Sequence, residues 1–273
     1  MMRLSLCLAF LVYGVLSLPY DMPPKCNPER FKEELAMRPS VTDQSSNVGK
    51  ARFLPQDKGN ESPACLDGSP YGFYFVPSTT KSTKWTISIN GGGWCYDEVD
   101  CYCRSKTGLG TSTTMSPTST CACMNPNEDG TMDNDCNCLH LPYSDGASFS
   151  GYRNAPWPVP GTNETVTFRG IKNLDGVLDF AFSNGMKEAT EFVITGGSAG
   201  GLSTFLHADR AAARLKAEAP QCKEIRAAPV VGYFLDHDNY KHTTGGRPNT
   251  PPWSTPGTGV NYTMWMKYIY LKS

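Results

Sequence analysis

The chain is 273 residues long, and its 25 Lys and Arg residues nearly balance its 26 Asp and Glu residues, which leaves a net charge of −1. The sequence has no basic stripe, so it does not favour a nucleic-acid partner. It also has neither a P-loop nor a G-x-G-x-x-G turn after a predicted strand, so no nucleotide is indicated and we expect no cofactor. The length fits one large domain.

The chain begins with the pattern of a secretory signal peptide. A basic residue, Arg3, precedes a short apolar run that ends at residue 16, and we place the signal at residues 1–17. The run is too short for a comfortable membrane span, with an uncleaved anchor as the alternative. We therefore expect a secreted, extracellular protein with no membrane span after cleavage. N-x-[ST] sequons predict glycosylation of such a protein at Asn60, Asn163 and Asn261.

Residues 18–66 are interpreted as a polar N-terminal segment, and the folded domain is expected over residues 67–273. Its first β-prone runs, residues 71–76 and 84–90, predict an initial β-hairpin. Three glycines at residues 91–93 follow directly. Such a loop can turn backbone N–H groups toward a substrate, although glycines alone favour the simpler interpretation of a flexible turn.

Cysteines dominate the next stretch. The chain has 11 cysteines, and all but Cys7 follow the predicted signal. An even number in a secreted chain predicts disulfides, whose pairing the sequence does not give. A metal cluster is the alternative for the paired cysteines, but their C-x-C spacing is not the C-x₂₋₄-C typical of zinc, and we predict no metal. The polar segment of about residues 101–150 is interpreted as a Cys-rich insertion held in shape by cross-links.

The segment with the clearest chemistry lies at residues 191–219. A β-prone run ends in G-G-S-A-G at residues 196–200, and a helical pattern then continues to Pro220. G-x-S-x-G between a strand and a helix is the nucleophile elbow of α/β-hydrolases, which makes Ser198 the candidate nucleophile. A preceding helix is predicted over residues 171–182, and another strand over residues 227–235. This alternation predicts a mostly parallel sheet with helices on both faces.

Three short blocks, at residues 89–95, 195–201 and 232–236, resemble the pectin acetylesterase family, which includes the Notum-type carboxylesterases. The resemblance implies a secreted α/β-hydrolase that removes acyl groups from carbohydrate or protein-bound esters. It also implies that Ser198 is the nucleophile and that the amides of Gly92, Gly93 and Ala199 form the oxyanion hole. Relatives commonly carry Glu where this chain has Asn90.

The acid and the base of a catalytic triad are not evident. Asp236 and His237 follow the predicted strand after the elbow, with His242 close behind. In the resembled family the acid and base come later, so one interpretation is a partial α/β-hydrolase domain that is incomplete at its C-terminus. The other is an unusual arrangement in which His237 or His242 serves as the base, with Asp236 and His237 as the candidate acid and base. The first interpretation predicts weak or no ester hydrolysis by this chain alone.

The sequence therefore predicts a secreted serine carboxylic-ester hydrolase that removes O-acetyl groups from extracellular polysaccharide, with impaired activity if the base is missing. Two alternatives stay open. One is a deacylase of a lipid-modified secreted protein, and the other is an inactive, disulfide-stabilised binding protein.

Overall fold

The computed structural model describes residues 48–234, except residues 58, 96, 128, 129 and 134. One sheet of seven strands organises this part of the chain. Its strands are β1 (Val48–Phe53), β2 (Gly72–Val76), β3 (Lys84–Ile89), β4 (Thr118–Thr120), β5 (Asn137–Leu141), β8 (Glu191–Gly197) and β9 (Glu224–Val230). Across the sheet they lie in the order β4-β1-β2-β5-β3-β8-β9. A separate ribbon pairs β6 (Trp157–Pro158) with β7 (Thr165–Val166). The α-helices are α1 (Glu98–Ser105), α2 (Gly170–Ser183) and α3 (Ala199–Glu218).

The half of the sheet that carries the elbow is parallel. Strands β5, β3, β8 and β9 pair in parallel, whereas β1 is antiparallel to both β2 and β4, and β2 is antiparallel to β5. The α/β-hydrolase-like fold class is confirmed by this mixed, mostly parallel arrangement. In register, Ile89 is opposite Gly196, so the strands leading to the two glycine turns end side by side.

Helices α2 and α3 pack next to each other on one face of the sheet. Two ion pairs join them, Arg210 with Asp175 and Arg214 with Asp179. Alternate residues of β3 point to this face and belong to the same buried core as the helices. On the opposite face, the Thr86 hydroxyl donates to the side-chain oxygen of Asn125, 2.8 Å away. Within the described residues, the Cys-rich segment therefore covers part of the face that α2 and α3 leave open.

The predicted hairpin is wrong, because β5 lies between β2 and β3. Strand β5 comes from the stretch interpreted as an insertion, and β1 comes from the stretch interpreted as a polar N-terminal segment. Both are strands of the main sheet. Strand β3 pairs in parallel with β5. Parallel neighbours are joined by a long connection rather than by the tight turn of a hairpin. The helices predicted over residues 171–182 and 199–219 are confirmed.

Disulfides hold the Cys-rich segment, as predicted. Two bridges, Cys121–Cys138 and Cys123–Cys136, join the stretch that follows β4 to the start of β5, and their sulfurs form a small buried cluster with Val76. A third, Cys95–Cys101, joins the loop after the glycines to α1. Cys103 is also disulfide-bonded. Cys65 and Cys222 are buried free thiols.

Candidate active site

Ser198 occupies a sharp bend between β8 and α3. Its backbone has φ 55° and ψ −122°, a region that residues with a side chain rarely adopt. The residue is exposed, whereas Ala199 behind it is fully buried. Strained conformations of this kind persist where the surrounding fold holds them and occur often at functional sites. The bend thus presents the Ser198 hydroxyl at the carboxyl edge of the sheet.

The glycines of the motif are explained by close backbone packing. A Cβ on Gly196 would lie 2.4 Å from the carbonyl oxygen of Gly200, and a Cβ on Gly200 would lie 2.3 Å from that of Ile89. By contrast, a Cβ on Gly197 would meet nothing within 4 Å. The first and last glycines of G-x-S-x-G are therefore sterically required, and the glycine directly before Ser198 is not.

The upstream glycine turn touches the elbow. A Cβ on Gly91 would lie 3.0 Å from the Cβ of Ser198 and 3.1 Å from the amide nitrogen of Ala199. Two segments more than a hundred residues apart in sequence are thus in van der Waals contact at this point. The sequence predicts that both glycine turns contribute to one site, and such a site is possible only if the two turns lie in contact.

The three amides predicted to form the oxyanion hole are unpaired within the described part of the chain. Among the described residues, none of the N–H groups of Gly92, Gly93 and Ala199 donates a hydrogen bond to the protein. Ala199 is the first residue of α3, where backbone N–H groups have no partner within the helix. Gly92 and Gly93 have φ 152° and 66°, and a Cβ on Gly93 would meet nothing within 4 Å. These amides are free to donate to an anionic ligand.

Ser148 links the two turns, and sequence reasoning missed it. Its hydroxyl accepts from the indole N–H of Trp94 at 2.7 Å and donates to the carbonyl oxygen of Ala199 at 2.9 Å. Its own carbonyl oxygen accepts from the Ser203 hydroxyl at 2.6 Å. Ser148 has φ 53° and is buried. One side chain therefore joins the glycine loop to the first turn of α3.

The predicted acid and base, Asp236 and His237, lie outside the described residues. The histidines within residues 48–234 have other partners. The Nε2 atom of His140 is 3.2 Å from the side-chain nitrogen of Asn90, and the Nε2 atom of His207 is 3.2 Å from the carbonyl oxygen of Ser148. Burial lowers the pKa of His207, which favours its neutral form. In this part of the chain no histidine hydrogen-bonds to the Ser198 hydroxyl.

A buried carboxyl lies behind the glycine loop. Asp145 is 1% exposed and accepts from the amide of Phe149 at 2.9 Å. Burial raises the pKa of Asp145 from 3.8 to about 7, although hydrogen bonds from backbone amides and the nearby positive charge of Arg104 oppose this effect. Asp145 is therefore partly protonated near neutral pH.

The remaining predictions concern the surface and cofactors. Asn163 is exposed in the turn between β6 and β7, which suits a glycosylated side chain; Asn261 lies outside the described residues, and glycosylation of Asn60 stays a prediction. The helices of the described ranges include none long and apolar enough to cross a bilayer. In the same ranges, no cluster of three or more His, Cys, Asp or Glu side chains is arranged to hold a metal ion.

A sequence model of the family described as Pectinacetylesterase matches residues 44–248. The chain belongs to the pectinacetylesterase family. Pectin acetylesterase 4 of Arabidopsis thaliana is 35% identical over 177 residues, which cover 63% of this chain and 41% of that protein. Pectin acetylesterase 5 of the same plant is 33% identical over 176 residues, covering 63% of this chain and 39% of that protein.

Animal members of the family also match. The palmitoleoyl-protein carboxylesterase NOTUM of Schmidtea mediterranea is 31% identical over 185 residues, which cover 66% of this chain and 34% of that protein. In each of these alignments the chain spans less than half the length of the curated relative. The matched part includes the glycine loop and the elbow, since the family match extends from residue 44 to residue 248.

Proposed function

We propose that the chain is a secreted serine carboxylic-ester hydrolase that removes O-acetyl groups from extracellular polysaccharide. The observation that carries the proposal is the exposed Ser198 on a strained bend, in contact with a glycine turn whose Gly92 and Gly93 amides have no partner among the described residues. Two of the relatives described above are named pectin acetylesterases, which supports an acetylated pectin as the substrate.

In the proposed reaction, the Ser198 hydroxyl attacks the carbonyl carbon of the acetyl ester. Its proton passes to a base, and the carbonyl oxygen becomes an oxyanion. The amides of Gly92, Gly93 and Ala199 would donate to this oxyanion, a type of stabilisation whose loss typically costs about 10²–10³ in kcat per donor. Collapse breaks the bond to the sugar oxygen, which leaves with a proton as the free hydroxyl. Water then attacks acetyl-Ser198 and releases acetate.

The acid and base of this cycle are assigned to Asp236 and His237 only as a proposal. If they do not serve, this chain would acylate and deacylate slowly, because an unassisted serine hydroxyl is a weak nucleophile at neutral pH. The rate of acetate release therefore tests the base, and its dependence on Ser198 tests the nucleophile.

A second candidate activity is removal of a fatty acyl group from a secreted protein. The 31% identity to a palmitoleoyl-protein carboxylesterase supports it. Both activities would use the same serine and the same oxyanion amides, and they differ in the acyl group accepted.

The test compares the full chain with Ser198→Ala and with Ser183→Ala, an exposed serine at the end of α2. Acetate release from acetylated pectin and release of palmitoleate from an O-acylated peptide are measured side by side, together with the mass of any acetyl-Ser198 intermediate. We expect slow acetate release or accumulated acetyl-Ser198, abolished only by Ser198→Ala. Neither turnover nor acylation with either substrate would favour the inactive binding protein instead.

A further inference from the structure

We infer that Arg104 is a positioning residue for the oxyanion hole: it fixes the Gly92–Gly93 peptide so that the Gly93 N–H faces the substrate. The inference rests on the proposed function of the site. It concerns a residue that lies in a polar, Cys-rich stretch and that sequence patterns do not distinguish from a solvated surface arginine.

Arg104 is buried beneath the glycine loop. Only 2% of the residue is exposed, and its Nη2 atom donates to the carbonyl oxygen of Gly92 at 2.5 Å. Its guanidinium carbon lies 5.2 Å from the centre of the Tyr143 ring, which is itself fully buried. A hydrogen bond from a charged donor in such surroundings is stronger than one between neutral groups. The Gly92 carbonyl is therefore held firmly toward the interior.

Holding this carbonyl also sets the direction of the next amide. Peptide bonds in the described residues are trans, so the C=O of Gly92 and the N–H of Gly93 point in opposite directions. With the carbonyl directed at Arg104, the Gly93 N–H points away from the interior. A Cβ on Gly93 would meet no atom within 4 Å, so there is open space beside this residue, and the Gly93 amide has no partner among the described residues.

The loop needs such a restraint because its residues are glycines. Glycine adopts positive and negative φ with similar ease, so intrinsic preference does not select one orientation of the Gly92–Gly93 peptide. The reverse orientation would direct a carbonyl oxygen, rather than an N–H, at the developing oxyanion. A donor fixed below the loop disfavours that orientation.

Burial of the Arg104 charge lowers the stability of the protein. Helix α1 holds Arg104 in place. Within the described residues Arg104 forms no ion pair within 4 Å, and its Nε atom is buried without a hydrogen-bond partner. Burying a charge in this way is unfavourable. Helix α1 is anchored at its start by the Asp97 side chain, which accepts from the amide of Asp100 at 2.7 Å. The Cys95–Cys101 disulfide ties the same helix to the loop that Arg104 supports.

The test uses the full chain and the variants Arg104→Met and Arg104→Lys. Arg169→Met is the matched control, because Arg169 is equally buried at 2% exposure and donates to two main-chain carbonyls away from the elbow, those of Phe168 and Asn154. The readouts are the melting temperature, the rate of Ser198 labelling by a fluorophosphonate, and a crystal structure of Arg104→Met. In labelling, the serine oxygen forms a bond to phosphorus, fluoride leaves and the hydroxyl proton is lost, while the P=O oxygen takes the place of the oxyanion.

We expect Arg104→Met to lower the labelling rate by about 10- to 100-fold, because loss of one oxyanion donor costs about 10²–10³ in kcat and here the donor is misdirected rather than removed. Arg104→Lys should recover part of the rate. Arg169→Met should lower the melting temperature but leave labelling within about 2-fold. In the crystal structure of Arg104→Met the Gly92–Gly93 peptide should be reoriented.

Equal labelling rates for Arg104→Met and Arg169→Met, or an unchanged peptide orientation in the crystal, would overturn the inference. If the parent chain is not labelled at Ser198, the proposed function fails. The orientation of the Gly92–Gly93 peptide in Arg104→Met then decides the inference by itself.

Discussion

Replacing Gly200 by alanine tests whether the elbow is held by contact between its glycines and the end of β3. Gly200 lies in the first turn of α3, where alanine is intrinsically favoured over glycine by about 1 kcal/mol. Helix propensity alone therefore predicts that Gly200→Ala stabilises the protein. The packing of the elbow predicts the opposite.

The structure indicates which effect is larger. A Cβ on Gly200 would lie 2.3 Å from the carbonyl oxygen of Ile89 and 2.8 Å from both the carbonyl carbon and oxygen of Asn90, whereas ordinary contacts begin at 3.4 Å. These atoms belong to the backbone, so α3 and β3 would have to separate by about 1 Å to remove the steric overlap with the added Cβ. Overpacking a well-packed core, which forces side chains off their rotamers and shifts the backbone, typically costs about 1–3 kcal/mol. Backbone atoms move less easily than side chains, so the cost should lie at the upper end of this range or above it. We therefore expect Gly200→Ala to lower the unfolding free energy by about 3 kcal/mol, with the gain in helix propensity already included.

The measurement is urea unfolding of the parent chain, Gly200→Ala and Gly197→Ala, followed by circular dichroism. Gly197→Ala is the control, since its Cβ would meet nothing within 4 Å. Its unfolding free energy should stay within about 0.5 kcal/mol of the parent, as for most surface substitutions. A Gly200→Ala protein as stable as Gly197→Ala would refute the packing that we assign to the elbow.

Three further predictions concern groups around the site. Since burial raises the folded-state pKa of Asp145 from 3.8 to about 7, its stabilising contribution is complete below the unfolded pKa and is lost as pH rises through 7. The unfolding free energy of the parent, measured relative to that of Asp145→Asn in urea titrations, should thus fall by about 4 kcal/mol between pH 4 and pH 8. A difference that does not change with pH would contradict the raised pKa of the buried Asp145 carboxyl. Ser148→Ala removes the hydrogen bonds to Trp94 and Ala199, so it should cost about 1–3 kcal/mol and slow Ser198 labelling, whereas unchanged values would exclude the linking role. Replacing Cys95 and Cys101 together by serine should cost about 2 kcal/mol in thermal unfolding, and an unchanged melting temperature would show that α1 does not need the tether.

Local sequence patterns predicted the elbow well. The strand, the serine and the helix follow one another without interruption, and a side chain on Gly196 would first meet Gly200, only four residues away. The helical spacing of residues 171–182 likewise predicted α2, which the structure places at Gly170–Ser183. In these segments the local pattern and the tertiary packing agree.

Strands with polar or short sequences were harder to predict. Strand β5 reads Asn-Cys-Leu-His-Leu, and its central position depends on pairing with β2 and β3 rather than on its own pattern. Strand β9 begins three residues earlier and ends five residues earlier than predicted, and its first residues were missed because the exposed Glu224 and Arg226 resemble loop residues. Both errors arise because strand formation depends strongly on tertiary context.

The residues that support the site could not be predicted from sequence. Ser148 and Arg104 act through partners that are distant in sequence or on another element, such as Ala199 and Gly92. No spacing rule connects a serine in a loop or an arginine in a short helix with a glycine turn. Only the folded arrangement shows that both are buried against the backbone of the site.

Peptide mass spectrometry after fluorophosphonate treatment of the full chain shows whether Ser198 is a reactive nucleophile. Trypsin cleavage after Lys187 and Arg210 releases residues 188–210, which contain Ser198 and Ser203, and fragment ions distinguish the two. We expect one phosphonyl group on Ser198 that is absent from Ser198→Ala. A label on another residue, or no label while the protein remains folded, would contradict this expectation.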